Sequence, residues 1–149
     1  MAEKYENIQK KFGLPNQKDL EKEFGIEIKK PIPKDIAEEV IKVLSENARM
    51  LESLIFVDSG SPASHLYEAS MLREEDIDVF ELYKSLMATY WQGKKLLMEG
   101  NDQKICDFIG KTMLKWKKAK ADLLRIFELF EKKWPEVVLR DSSEPAYHG

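Results

Sequence analysis

Two long amphipathic patterns joined by a tight turn occupy the stretch from Ile77 to Trp134. Apolar residues recur there every three or four positions, which is the spacing of one face of an α-helix. The pattern is interrupted at Gly100-Asn101-Asp102, where a glycine ends one helix and a polar residue caps the next. A loop this short requires the two helices to lie antiparallel. The stretch therefore predicts a helical hairpin and favours an all-α fold.

One further long helix and several short ones are predicted before this hairpin. Apolar residues keep helical spacing from Pro33 to Val57, and proline suits a first helical turn. Two short N-terminal helices are predicted to end at Gly13 and Gly25. We therefore expect an up-down helical bundle of three long helices, with the short N-terminal helices covering its open side.

The first helix of the hairpin, predicted from about Asp76 to Glu99, carries an unusually broad apolar face. A face half the circumference wide must touch at least two neighbours, so we expect this helix to be central. Because both helices rise equally per residue, residues at one level should have numbers summing to about 201. This places Trp91 opposite Gly110 and Gly93 opposite Phe108, each glycine making room for a ring.

Length, composition and charge describe one folded domain without a global basic field. The chain has 149 residues, of which 43% are hydrophobic and 34% charged, so a core can form without cross-links. We expect a single helical-bundle domain over residues 1–139 and a flexible C-terminal tail over residues 140–149. The formal net charge of -3 provides no overall attraction to nucleic acid or to an anionic membrane.

Cysteine content and the lack of long apolar runs predict a cytoplasmic location. A single cysteine, Cys106, cannot form an internal disulfide, which favours a reducing compartment. No apolar run approaches the roughly 20 residues that a membrane span needs. Residues 1–6 carry no apolar signal core.

Patterns that support catalysis or metal binding are sparse. The chain has 2 histidines, and His65-x-x-Glu68 is a single, reversed half of the paired motif that helical di-metal sites use. Glu75-x-x-Asp78 is likewise half of the pattern with which helical nucleotide pyrophosphatases hold Mg²⁺. Cys106 has no candidate base beside it. We therefore expect no enzymatic activity, no cofactor and no metal site.

Apolar residues on the last helix that fall away from its main seam predict a contact surface. They are Leu114, Ala121, Leu124 and Leu129. Several such residues along one helix indicate either a docking surface for another chain or burial under the N-terminal helices. We expect a non-enzymatic assembly or adaptor protein that acts through protein–protein contacts, with a homodimer or larger assembly favoured.

A group of cations on the same helix supports an alternative function. Basic residues form one stripe that would lie along phosphates: Lys104, Lys111, Lys115, Lys118 and Arg125. This stripe predicts nucleic-acid binding by the last helix. The competing interpretation is a solvated face that balances the acidic start of the neighbouring helix.

Overall fold

The computed structural model describes residues 4–138, which contain helices and turns and no strand. The helices are, in order, α1 (Tyr5–Phe12), α2 (Gln17–Phe24), α3 (Pro33–Ile55), α4 (Ala63–Glu74), α5 (Phe80–Glu99) and α6 (Asp102–Lys133). A single 3₁₀ turn over Trp134–Glu136 follows α6. The prediction of an all-α fold is confirmed. The predicted C-terminal tail, residues 140–149, lies outside the described residues.

Glycines end α1, α2 and α5 where the sequence predicts these helix ends. Gly13, Gly25 and Gly100 have left-handed φ angles of 76°, 65° and 76°, which residues with a side chain rarely adopt. Directly after the third glycine, the Asn101 side chain accepts a hydrogen bond from the backbone N–H of Lys104 at 3.0 Å. This turn closes the predicted hairpin of α5 and α6.

The start of α5 differs from its prediction, because the helix begins at Phe80 rather than near Asp76. Asp76 takes a positive φ of 53°, the role that glycine plays at the other helix ends. The Ile77 N–H donates to the Leu72 carbonyl, and the Asp78 side chain accepts from the Phe80 N–H at 2.8 Å. The acidic residues therefore form a corner between α4 and α5. No glycine or proline marks this corner in the sequence.

The core lies between the three long helices, and the N-terminal helices lie on α6. Helix α3 contacts both α5 and α6, while α1 and α2 pack on α6. The largest fully buried aliphatic side chains come from four helices: Ile8, Leu20, Ile36, Leu44, Leu51, Ile105, Ile109 and Ile126. The short helices thus contribute to the same core as the long ones.

Side chains of α6 hydrogen-bond the C-terminal carbonyls of both short helices. The Gln103 amide donates to the Phe12 carbonyl of α1 at 3.0 Å. The Trp116 indole N–H donates to the Glu23 carbonyl of α2 at 2.7 Å, and the Lys120 ammonium lies 3.2 Å from the same oxygen. These donors satisfy carbonyls that a helix leaves without partners, and the lysine charge complements the helix dipole. Lys120 is therefore engaged by its own chain.

One of the two predicted glycine–ring pairs is confirmed and the other is wrong. A Cβ placed on Gly93 would lie 2.7 Å from both the Phe108 ring and the Ile41 side chain, so Gly93 does face Phe108. A Cβ placed on Gly110 would meet no atom within 4 Å, and the Trp91 ring lies against Tyr90 instead. The predicted level of the two helices along their axes is correct for Gly93 and Phe108. Trp91 lies two positions before Gly93, and residues with this spacing point about 160° apart around a helix. Trp91 therefore turns outward when Gly93 faces the core.

The same substitution at these two glycines is expected to change stability in opposite directions. Gly93→Ala should lower the free energy of unfolding by about 1–2 kcal/mol, because overpacking outweighs the gain in helix propensity. Gly110→Ala should raise it by up to about 1 kcal/mol, because its Cβ meets no neighbour. Urea unfolding followed by circular dichroism measures both changes. Stabilisation by Gly93→Ala would show that the α3–α5–α6 contact is looser than described.

Candidate protein-binding surface

Three of the four apolar residues predicted to form a contact surface lie exposed on one side of α6. Leu114 is 69% exposed and Leu124 is 49% exposed, and Ala121 lies exposed between them. Leu129 does not join them, because it is partly buried against the core. It follows Leu124 by five residues, which turns it about 140° around the helix. The candidate surface is therefore shorter than predicted.

The exposed residues follow a heptad pattern that continues beyond the three apolar ones. Alternating steps of four and three residues connect Gly110, Leu114, Lys117, Ala121, Leu124 and Glu128, which we call the outer seam. This spacing keeps side chains in line along a helix and is the spacing by which one helix packs lengthwise on another. The outer seam lies apart from the buried face of α6, so the packing of residues 4–138 does not use it.

A row of cations runs parallel to the outer seam. Lys111, Lys118 and Arg125 are spaced seven residues apart, each directly after a seam position, and we call them the basic edge. All three are exposed, and within residues 4–138 no carboxylate oxygen lies within 4.0 Å of them. The other two residues of the predicted stripe differ. Lys104 lies 3.9 Å from the Glu99 carboxylate. Lys115 lies farther around the helix from the outer seam than the basic edge does, although it lines the same cleft as Lys118 and Arg125.

That cleft, of about 640 Å³, separates α6 from the corner that precedes α5. Its basic side consists of Lys115, Lys118 and Arg125. Acidic residues outnumber them in the lining: Glu75, Asp76, Asp78, Glu81 and Asp122. Carboxylates that line the same cleft lower the positive potential on that side of the basic edge. The geometry thus agrees with the interpretation that the cations balance the neighbouring acidic segment.

A second exposed apolar row, on α5, was assigned to the core by the sequence pattern. Phe80 is 41% exposed, Trp91 is 61% exposed and Met98 is 91% exposed, and we call these three the α5 stripe. Gly93 of α5 faces both Ile41 of α3 and Phe108 of α6. The α5 stripe lies on the side of the helix away from Gly93, so α3 and α6 leave this apolar edge exposed. The unusual width of the apolar face of α5 was the feature of the sequence that could have indicated an exposed apolar edge.

Two residues that the sequence analysis considered for catalysis or metal binding, Cys106 and Glu68, are respectively buried and hydrogen-bonded within the fold. Cys106 is buried, and burial, with smaller effects of Asp102 and Asp107, raises the pKa of its thiol to about 12. Such a thiol is protonated at neutral pH and is a poor nucleophile. The Glu68 carboxylate accepts a hydrogen bond from the Trp134 indole at 3.0 Å. Among the described residues, no group of three or more His, Cys, Asp and Glu is arranged to hold a metal ion.

Comparisons with models of protein families, with curated proteins and with solved structures gave no match. Across residues 4–138, none of the helices combines the length and apolar character needed to cross a membrane. Functional inference therefore depends on the surface chemistry of the chain itself.

Proposed function

We propose that this chain is a non-enzymatic assembly or adaptor protein that binds a helix of a protein partner on the outer seam of α6. In this proposal the three long helices form an up-down bundle whose longest helix keeps one face for binding. The exposure of Leu114 and Leu124 on a rigid helix is the observation that supports it. Burying one leucine side chain in an interface contributes up to about 1.5–3 kcal/mol. A partner helix that runs along the outer seam would bury both leucine side chains at once.

Changing both leucines to glutamate is expected to abolish partner binding without unfolding the chain. The double variant Leu114→Glu/Leu124→Glu places charges where an apolar contact would form, at positions that the core does not use. Trp91→Glu/Met98→Glu, on the α5 stripe, is the matched control because it changes two exposed apolar residues elsewhere. Light scattering gives the mass of the chain alone, and a photo-crosslinker at Lys117 traps a partner in cell extract.

The two measurements have defined outcomes. An adduct, or a dimer, that the α6 variant removes and the α5 control keeps supports the proposal. A dimer would identify the partner as a second copy of the chain. If the α5 variant removes the association and the α6 variant keeps it, binding occurs on the other surface and the proposal is wrong. Circular dichroism and the urea midpoint establish that each variant is folded.

Nucleic-acid binding is the second candidate, and the basic edge, which has no carboxylate within 4.0 Å among residues 4–138, is the observation that favours it. Three phosphate contacts from Lys111, Lys118 and Arg125 would give a salt dependence of log K with a slope of about -2.7. Labelled duplex and single-stranded oligonucleotides at low salt provide the test by fluorescence anisotropy. The excess of acidic residues in the adjoining cleft weakens this candidate. Absence of binding at low salt would remove it.

A further inference from the structure

The basic edge occupies one position of the heptad that the outer seam defines. With Leu114 and Ala121 at position a, the residues Lys117 and Leu124 fall at d, and the basic edge falls at e. In paired helices the residues at e and g meet across the interface and determine which partner binds and in which orientation. The positive charge of the basic edge therefore indicates which charge a partner helix should carry at the facing positions.

A second copy of the chain is a poor match for this surface in either orientation. In an antiparallel pair of α6 helices, position e meets e of the other copy, so Lys118 would face Lys118 and Lys111 would face Arg125. In a parallel pair, e meets g, and the g positions are Met113, Lys120 and Phe127. None of these three is acidic, and Lys120 is already engaged by α2. Like charges across such an interface oppose association.

We propose that the outer seam binds an amphipathic helix with acidic residues facing the basic edge. This inference rests on the proposed function and specifies its partner. Carboxylates facing Lys111, Lys118 and Arg125 would pair with cations that have no carboxylate within 4.0 Å in residues 4–138. Gly110 and Ala121 leave room in the seam for large apolar side chains of the partner. An acidic residue opposite Lys117 would complete the match.

The position of the cleft favours a helix over a nucleic-acid duplex as the occupant. A helix about 10 Å wide can cover the outer seam and the basic edge together. A duplex lying along the same cations would carry its phosphates over the acidic lining of the cleft, which includes Glu75, Asp78 and Asp122. The exposed leucines would also contribute nothing to contacts with phosphates. An acidic peptide therefore matches more of the surface.

A pair of designed peptides tests the charge of the partner. The acidic probe has about three heptads, with leucine at most seam positions and glutamate at the positions that face the basic edge, and its twin carries lysine there. Fluorescence anisotropy measures their binding to the full chain. We expect the acidic probe to bind on the order of 30-fold more tightly, since three attractive pairs replace three repulsive ones. Leu114→Glu/Leu124→Glu should abolish binding.

Charge reversal of the basic edge should reverse this preference. The variant Lys111→Glu/Lys118→Glu/Arg125→Glu should bind the lysine twin more tightly than the acidic probe. The matched control, Lys84→Glu/Lys94→Glu/Lys95→Glu, changes the net charge equally on α5 and should keep the original preference. Equal reversal by the control would show a general charge effect and would overturn the inference.

Failure of this inference is distinguishable from failure of the proposed function. No binding of either probe, or equal binding of both, overturns the acidic partner. A dimer that forms through Leu114 and Leu124 while neither probe binds overturns it too, but keeps the proposed function. Probe binding that survives Leu114→Glu/Leu124→Glu contradicts both. Displacement of the acidic probe by a duplex oligonucleotide at equal concentration would assign the basic edge to nucleic acid.

Discussion

Replacing Trp116 with alanine is expected to lower the free energy of unfolding by about 3–5 kcal/mol. The indole is buried, its ring stacks on Phe24 with centroids 5.7 Å apart, and its N–H donates to the Glu23 carbonyl at 2.7 Å. The substitution removes the ring, opens a cavity between α2 and α6 and leaves the Lys120 ammonium as the remaining side-chain donor to the Glu23 carbonyl.

Urea unfolding of two matched variants separates the sources of this loss. Trp91→Ala removes the same side chain from an exposed site, and we expect a change within about 0.5 kcal/mol. Trp116→Phe keeps an aromatic ring but removes the indole donor, which should cost about 0.5–1.5 kcal/mol because Lys120 still donates to the Glu23 carbonyl. Equal losses for Trp116→Ala and Trp91→Ala would show that α2 is not held by the indole.

Stability is expected to fall steeply as the pH rises above 9. Burial, with smaller effects of two nearby aspartates, raises the pKa of the Cys106 thiol from 9.0 to about 12. Burial, followed by the charges of Cys106 and Glu21, raises the pKa of the Tyr5 hydroxyl from 10.0 to about 12. Above its unfolded-state pKa each group loses its proton only on unfolding, so alkaline pH favours the unfolded chain. The contribution of the protonated Cys106 and Tyr5 side chains to stability is fully present below pH 9 and is lost as the pH rises towards 12.

The slope of stability against pH measures this effect. Each group contributes a loss of at most about 1.4 kcal/mol per pH unit between its two pKa values. Urea midpoints at pH 7, 9, 10 and 10.5 give the slope for the unmodified chain. Cys106→Ala should remove the loss of stability that begins near pH 9. Tyr5→Phe should remove the loss of stability that begins near pH 10. A slope that neither variant changes would assign the alkaline loss to other groups.

The helix ends that glycine marks could be predicted from the sequence, and the corner at Asp76 could not. Gly13, Gly25 and Gly100 are the residues best suited to a positive φ, and the helices end at them. Asp76 has the same conformation, which aspartate adopts much less often than glycine, so its sequence position did not mark a helix end. The boundary of α5 was therefore misplaced by a few residues, although its existence was clear.

The candidate site was predicted to the level of a helix face and no further. Leu114, Leu124 and Leu129 all fall away from the main seam of α6, yet only the first two are exposed. The heptad relation between the outer seam and the basic edge was present in the sequence. It gains meaning only once Lys120 is known to bond α2 and Lys104 to lie near Glu99.

Local rules and residue spacing thus determined the all-α class, the hairpin of α5 and α6, and the pairing of Gly93 with Phe108. Hydrogen bonds within a helix and the φ preference of glycine act over a few residues, so a sequence displays them directly. The tertiary structure decided which side of each helix stays exposed, as Trp91 shows. That choice depends on where distant elements pack around the helix, because burial is a property of all neighbours together.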